Sequence, residues 1–207
     1  MYDIDNAAFA AAVLKGFQDI IGDCANLYYT STEFRSFFWG SPLTIVGGGM
    51  LIPYIAYNGQ NAKCLCDKCW QQLKKVIDSN TIEIGIHRGE ADKPKTVTEG
   101  GANPTRVGVQ VNENVNVEAQ ERRAVPEKYT KRRAPFSVVL WHEVVGHAGN
   151  VLENQRHDQK RAIEYENVAR ECLRFRGAKD IDDRVVTDED RMGDRMRARW
   201  KGVPDDE

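Results

Sequence analysis

Hydrophobic and polar positions alternate along this chain of 207 residues with two different periods. Two stretches show the helical period, in which apolar residues recur every three or four positions. The first lies within residues 1 to 39, which we expect to be mostly helical, and its apolar positions are Phe9, Val13, Leu14, Phe17, Ile20 and Ile21. The second is CDKCWQQLKKVIDSN, with Trp70, Leu73, Val76 and Ile77 on one side and Asn80 as its stop signal.

Three further stretches favour strands. TIEIGIHRG alternates Ile82, Ile84 and Ile86 with polar residues, which predicts a half-buried strand. RVGVQVNENVNV alternates in the same way and predicts a strand or hairpin, while ADKPKTVTEGGANPT before it is predicted as a loop. Residues 41 to 59 are apolar but contain two prolines and three consecutive glycines. We therefore expect two short buried strands around a glycine turn there, because glycine and proline disfavour a membrane-spanning helix.

The helical period returns in the C-terminal half. One helix is predicted from Phe136 to Leu152, with Pro135 placed where a helix start tolerates proline. A second helix is predicted from about Asp158 to Phe175, closed by Gly177. The order of helix, strands and two further helices predicts an α+β fold, in which a small mixed sheet packs on these two C-terminal helices. Three regions are expected: a helical and apolar segment (1–75), a core (76–180) and a charged tail (181–207).

Charge and composition change this picture little. The formal net charge is −2, so no global field draws the chain to nucleic acid or to a membrane surface, and we expect neither partner. The basic stretch ERRAVPEKYTKRR is predicted as a solvated linker. The N-terminus starts acidic and amphipathic, which is not the pattern of a secretory signal peptide.

Five cysteines leave three interpretations open. Cys64, Cys66 and Cys69 are crowded in CLCDKCW, whereas Cys24 and Cys172 stand apart. They are free thiols, form a local disulfide, or hold a metal or redox centre. The odd count argues against a complete disulfide framework, and no fourth ligand follows at zinc-finger spacing.

The strongest chemical signal is VVLWHEVVGHAGN, which contains His142, Glu143 and His147. Zinc proteases use H-E-x-x-H, in which the two histidines are four residues apart on one face of a helix. Here they are five apart, which turns them about 140° from each other on a regular α-helix. A π-helical turn would restore a common face, and Gly146 would tolerate the distortion and let a neighbour approach closely. The alternative is a buried helix that carries these residues without a metal.

Each residue of the motif has a chemical role in a zinc hydrolase. His142 and His147 would be metal ligands, and Glu143 would be the general base and acid. A catalytic zinc ion needs a third protein ligand, and the following helix offers Glu166, Glu164 and Asp158, with His157 just before it. We favour Glu166, because Asn167 and Arg170 follow it and would supply hydrogen bonds or a buried ion pair.

HEVVGHA followed by AIEYENVAR resembles the zinc-metallopeptidase domains of bacterial effectors and polymorphic toxins. There, a His-Glu helix ending in His-Ala precedes a helix with an A-[IV]-x-x-E-N-x-x-R pattern, matched here by Ala162, Ile163, Glu166, Asn167 and Arg170. The resemblance covers Val76 to Gly177. One departure is that such domains often have a glutamate two or three residues before the Ala-Ile pair, where this chain has Gln159 and Lys160.

This resemblance implies a zincin-like fold, Zn²⁺ as cofactor, and a selective protease delivered from a bacterium or, if not delivered, cytoplasmic. It also implies a protein or peptide substrate, and an immunity protein or secretion chaperone as partner. We expect RVGVQV to be the edge strand that pairs with the substrate backbone. Two alternatives stay open: an inactive zinc-binding interaction protein, and a metal or redox protein centred on Cys64, Cys66 and Cys69.

Overall fold

The computed structural model describes residues 4–30, 43–45, 54–79, 81–99, 106–122, 129–153 and 158–187. The helices are α1 (Ile4–Ile21), α2 (Asp67–Asp78), α3 (Phe136–Trp141), α4 (Gly149–Leu152) and α5 (Gln159–Phe175), with a 3-10 turn at Gly22–Cys24 and a π-helical segment at His142–Ala148. The strands are β1 (Ala25–Thr30), β2 (Leu43–Ile45), β3 (Tyr54–Gln60), β4 (Glu83–Arg88), β5 (Lys95–Glu99), β6 (Arg106–Val111), β7 (Glu118–Arg122) and β8 (Tyr129–Arg133).

Six strands form a mixed sheet in the order β1-β3-β2-β4-β6-β5. The central strands β2, β4 and β6 are parallel, and the remaining neighbours pair antiparallel. The predicted α+β class is thereby confirmed, as are the strands on both sides of the glycine stretch and the strand around Ile84. The first 39 residues are not helical throughout, because β1 follows α1 and pairs with β3.

The edge of the sheet differs from the prediction. RVGVQV is β6, which lies between β4 and β5 and is paired on both sides, so its predicted role as the edge strand is wrong. The edge is β5, which lies inside the stretch predicted as a loop. The proline and glycines around KTVTE hid its alternation, in which Thr96 is half-buried while Val97 is exposed.

The basic stretch is also not only a linker. Its two ends form β7 and β8, which pair with each other from Glu118–Arg133 to Arg122–Tyr129. Residues 182–185 then run beside β7, where the Arg122 amide donates to the Asp183 carbonyl and the Val185 amide to that of Gln120. The start of the predicted tail is therefore attached to this small sheet.

The helices and the sheet share one hydrophobic cluster. Helix α1 contributes Phe9, Val13, Phe17, Ile20 and Ile21 to it, and the motif helix contributes Val138, Leu140, Trp141, Val144 and Val145. Gly177 closes α5 in the left-handed region with φ +89°, as the sequence predicted. Among the described residues, the helices include none with the length and apolar character needed to span a membrane.

The cysteines form cross-links that the sequence did not predict. Disulfides join Cys24 to Cys64 and Cys66 to Cys172, and the buried Cys69 stays a free thiol. A three-thiolate metal site in CLCDKCW is therefore contradicted, as is a disulfide within that stretch. Both partners, Cys24 and Cys172, are distant in sequence, so local spacing gave no signal for either bond.

Several predictions fall on residues outside the described ranges. These are the helix stop at Asn80, the glycine turn within residues 46–53, the alternative ligand His157, the middle of the basic stretch (123–128) and the tail from residue 188 onwards.

Candidate metal centre

The two histidines of the motif meet on one side of their helix. Residues His142–Ala148 form a π-helical segment between α3 and α4, so the helical path from Phe136 to Leu152 contains one widened stretch. Hydrogen bonds from residue i to i+5 enlarge each turn, which brings residues five apart onto a common face. The rings of His142 and His147 are 4.7 Å apart between centroids and nearly perpendicular. The predicted π-helical turn is confirmed.

Gly146 allows the second C-terminal helix to approach this segment. A β-carbon at Gly146 would lie 3.0 Å from both Cα and Cβ of Ala162 on α5. That distance is tighter than most side-chain contacts, so a side chain at this position would require α5 to shift by a few tenths of an ångström. The close approach brings the start and middle of α5 to the two histidines.

Glu143 is buried beside the histidines, and its side chain contacts the neutral hydroxyl of Thr96. The Thr96 hydroxyl on β5 lies 2.7 Å from Oε2 of Glu143 and 3.1 Å from its carbonyl oxygen. Burial raises the pKa of Glu143 above its usual value, although the nearby His142 and the Thr96 hydrogen bond lower it in part. Glu143 is thus a carboxylate that accepts a proton more readily than an exposed one.

Glu166 lies behind His142. Its Oε2 is 2.9 Å from Nδ1 of His142, which leaves Nε2 as the ring nitrogen that faces the other side. A carboxylate on the far nitrogen of a ligating histidine fixes the ring orientation and raises its basicity. Glu166 was predicted as a metal ligand, but it lies against Nδ1 of His142, apart from the group formed by His142, Glu143 and His147.

Two arginines occupy the remaining acceptor sites of Glu166. Arg170 donates from Nε to Oε1 at 2.7 Å, and Arg184 donates from Nη1 to Oε2 at 3.1 Å. Nη1 of Arg170 also bonds to Glu121 of β7 and to the Asp182 carbonyl, the latter at 3.0 Å. The four charged side chains form a cluster, buried except for the half-buried Arg184, that we call the Glu166 cluster: Glu121, Glu166, Arg170 and Arg184.

The Glu166 cluster keeps its central carboxylate ionised. Complete burial would raise the pKa of Glu166, but the hydrogen bond and charge of His142, with the charges of Arg170 and Arg184, lower it to about 2. Since two arginines and the His142 ring contact it, Glu166 is held as an anion.

The other predicted ligands on α5 are placed elsewhere. Asp158 caps the helix by accepting a hydrogen bond from the Arg161 amide at 3.1 Å, and Glu164 is exposed. Gln159, in contrast, reaches the site: its Nε2 lies 3.4 Å from Nε2 of His142.

Sequence reasoning missed three residues around the site. Thr96, Glu121 and Arg184 come from β5, from β7 and from the stretch beside β7. The Thr-Val-Thr alternation in KTVTE was a signal for β5. Nothing local marks Glu121 or Arg184, because each lies in a run of similar charged residues.

The described residues offer one group of metal-ligating side chains: His142, Glu143 and His147. Their ligand atoms lie within 4.8 Å of one another, and all three side chains are buried. Imidazole nitrogens with a carboxylate are a donor set that suits zinc, and the orientation of His142 by Glu166 is the arrangement that ligating histidines usually have. The residues present therefore fit a bound metal ion.

Comparison of the chain with models of protein families, with curated proteins and with solved structures found no match.

Proposed function

We propose that this protein is a zinc-dependent peptidase with a zincin-like arrangement of sheet and helices. The observation that carries the proposal is the π-helical segment, which brings the His142 and His147 rings together with Glu143 beside them. Burying two imidazoles and a carboxylate at one point costs free energy of desolvation, and a metal ion held between the imidazoles would offset part of that cost.

The residues of the site have separate tasks in this proposal. The imidazoles of His142 and His147 hold the ion, and Glu166 fixes the His142 ring so that Nε2 points to it. Zinc, when bound, would supply a Lewis acid that activates water and polarises a peptide carbonyl. Glu143 takes the proton of the attacking water and returns it to the leaving amine, a task that its raised pKa suits. Thr96 holds the Glu143 carboxylate in place.

The edge strand β5 is the proposed docking site for the substrate. It is bordered by β6 on one side, and its Thr96 contacts Glu143 directly. An extended peptide that adds to the edge of β5 would therefore run past the general base. This assignment replaces β6.

The two disulfides support an oxidising compartment for the folded protein, because such bonds persist outside a reducing cytosol. Burial raises the pKa of the remaining thiol, Cys69, to about 12. Thiol titration of the folded protein should accordingly detect no reactive thiol, and unfolding without reductant should release one. Unfolding with reductant should release all five. Five thiols without reductant would contradict both cross-links.

Zinc content and cleavage of a peptide library test the function together. The wild-type chain should bind one zinc ion and cleave some library members. Glu143→Gln should retain zinc but lose cleavage by about 10²–10⁴-fold, because it removes the general base. His142→Ala should lose both zinc and cleavage, while His87→Ala, a histidine of β4, serves as the matched control and should lose neither.

Three other outcomes distinguish the alternatives. Zinc that is bound by His142 without any cleavage would favour the inactive interaction protein. Zinc that survives His142→Ala would place the metal elsewhere. Cleavage that survives Glu143→Gln would remove the general base from the proposal.

A further inference from the structure

We infer that Gln159 supplies the third protein ligand of the metal centre, through the oxygen of its side-chain amide. This inference rests on the proposed function, because it needs a metal ion between His142 and His147. It gives the site two imidazoles and one neutral amide, with Glu166 behind the first imidazole.

The Gln159 amide lies at the distance from His142 that two ligands of one zinc ion have. A ligand at about 2.0–2.2 Å from a tetrahedral zinc ion lies about 3.3–3.5 Å from its neighbouring ligands. The side-chain amide of Gln159 lies 3.4 Å from Nε2 of His142, measured from the amide nitrogen. The oxygen and nitrogen of an amide exchange places by a half turn of the group. A turned amide puts its oxygen at the separation that two ligands of one zinc ion have.

Gln159 also lies on the side of the His142 ring that would face the metal. Glu166 lies against Nδ1 of His142, so Nε2 is the nitrogen left for a metal. Gln159 approaches from the Nε2 side, which is where the ion would sit. A polar side chain that lies against the metal-facing nitrogen of a ligand is placed to become a ligand itself.

The carboxylates near the site already have other partners. Glu166 accepts from Arg170 and Arg184 and lies against His142, and Asp158 caps α5. Glu143 is the general base, held by Thr96. Gln159 is the first residue of α5, and the cap at Asp158 together with the close contact at Gly146 fixes where that turn lies.

A neutral ligand changes the strength of the site. Two imidazoles and a carboxylate offset one of the two positive charges of zinc, whereas two imidazoles and an amide offset none. The wild-type site should therefore bind zinc less tightly than the same site with Gln159→Glu, since a carboxylate adds charge attraction to the ligand bond.

The experiment measures metal affinity of the full chain with Zn²⁺ and with Co²⁺ alone. Zinc affinity is determined by competition with a chelator, and the visible absorption of Co²⁺ reports the number and type of ligands. The variants are Gln159→Ala and Gln159→Glu, with Lys160→Ala as the matched control, because Lys160 is exposed in the same turn.

Gln159→Ala should lower zinc affinity at least about tenfold and alter the Co²⁺ spectrum. Gln159→Glu should raise zinc affinity, and Lys160→Ala should change neither quantity. Unchanged affinity and an unchanged spectrum in both Gln159 variants would overturn the inference, and the proposed function would stand if His142→Ala still loses zinc. A wild-type chain that binds no zinc would overturn the proposed function itself, and the inference with it.

Discussion

The two sides of His142 carry carboxylates whose pKa values are shifted in opposite directions. On one side, Glu143 is 5% exposed and has the neutral Thr96 hydroxyl as its side-chain partner, so burial raises its pKa. On the other side, Glu166 is 2% exposed but lies among cationic partners, which lower its pKa to about 2. Two glutamates with nearly equal burial thus differ in their partners.

Partners, more than burial, decide what a buried carboxylate can do. Glu166 is held as an anion and cannot exchange protons near neutral pH, which suits a group that orients a ligand. Glu143 has an elevated proton affinity, which suits a group that receives and returns a proton. The sequence shows two glutamates near two histidines, and the distribution of cations around them assigns their tasks.

The largest expected effect comes from removing Arg170 from the Glu166 cluster. Arg170→Met would leave Glu121 and Glu166 buried without their shared cation. Loss of one partner from a buried ion pair destabilises a protein by about 3–5 kcal/mol. Urea unfolding of the metal-free protein measures this loss. Arg174→Met is the control, since Arg174 is one turn further along α5 and pairs with Asp183 near the surface. Equal losses in both variants would show that the Glu166 cluster contributes no more than a surface pair.

The next prediction compares the two carboxylates directly. Glu166→Gln should destabilise the metal-free protein by about 1.5–3 kcal/mol, because it removes charged hydrogen bonds. Glu143→Gln should be neutral or stabilising, since it removes a carboxylate whose ionised form is disfavoured by burial. The free energy of unfolding of both variants, measured in urea at neutral pH, tests the difference in sign. Equal losses of unfolding free energy in both variants would show that Glu143 and Glu166 do not differ in the way their pKa shifts indicate.

The sequence predicted much of the helical part of the fold because its period is regular. The motif helix, its π-helical turn and α5 follow from apolar spacing, from one extra residue between two histidines, and from Gly146 and Gly177. The same reasoning put His142, Glu143 and His147 together, since all three lie on one helix.

The sequence could not place what depends on pairing between distant segments. The edge strand β5 is short and flanked by proline and glycine, so its alternation resembled a loop. Glu166 was predicted as a metal ligand with Arg170 as a hydrogen-bond or ion-pair partner, and Arg170 does pair with it. Arg184, which also pairs with Glu166, comes from a segment that was predicted as a tail. The disulfide between Cys66 and Cys172 likewise depends on a contact across 106 positions.

A smaller effect is expected from disturbing the close contact between Gly146 and Ala162 of α5. Gly146→Ala would place a methyl group 3.0 Å from the backbone of α5 at Ala162 and push that helix away. Overpacking of this kind costs about 1–3 kcal/mol and should weaken zinc binding as well. Gly149→Ala is the control, because its added methyl meets Val76 at an ordinary 3.7 Å and should stabilise the helix slightly. Thermal unfolding distinguishes the two, and a stabilised Gly146→Ala would show that the helices have room to adjust.

The smallest expected effect comes from removing the hydroxyl group that contacts Glu143. Thr96→Val removes the hydroxyl that holds Glu143 while preserving the shape and strand preference of the residue. The loss should be about 0.5–1.5 kcal/mol in stability, the usual net contribution of one hydrogen bond. Thr98→Val, on the same strand but exposed, should change stability less.

Because Thr96 also orients the general base, its loss should lower the cleavage rate while leaving zinc affinity unchanged. A matched fall in zinc affinity would place Thr96 in support of the metal ligands instead of Glu143. The comparison would then be between two groups of residues that both hold the metal.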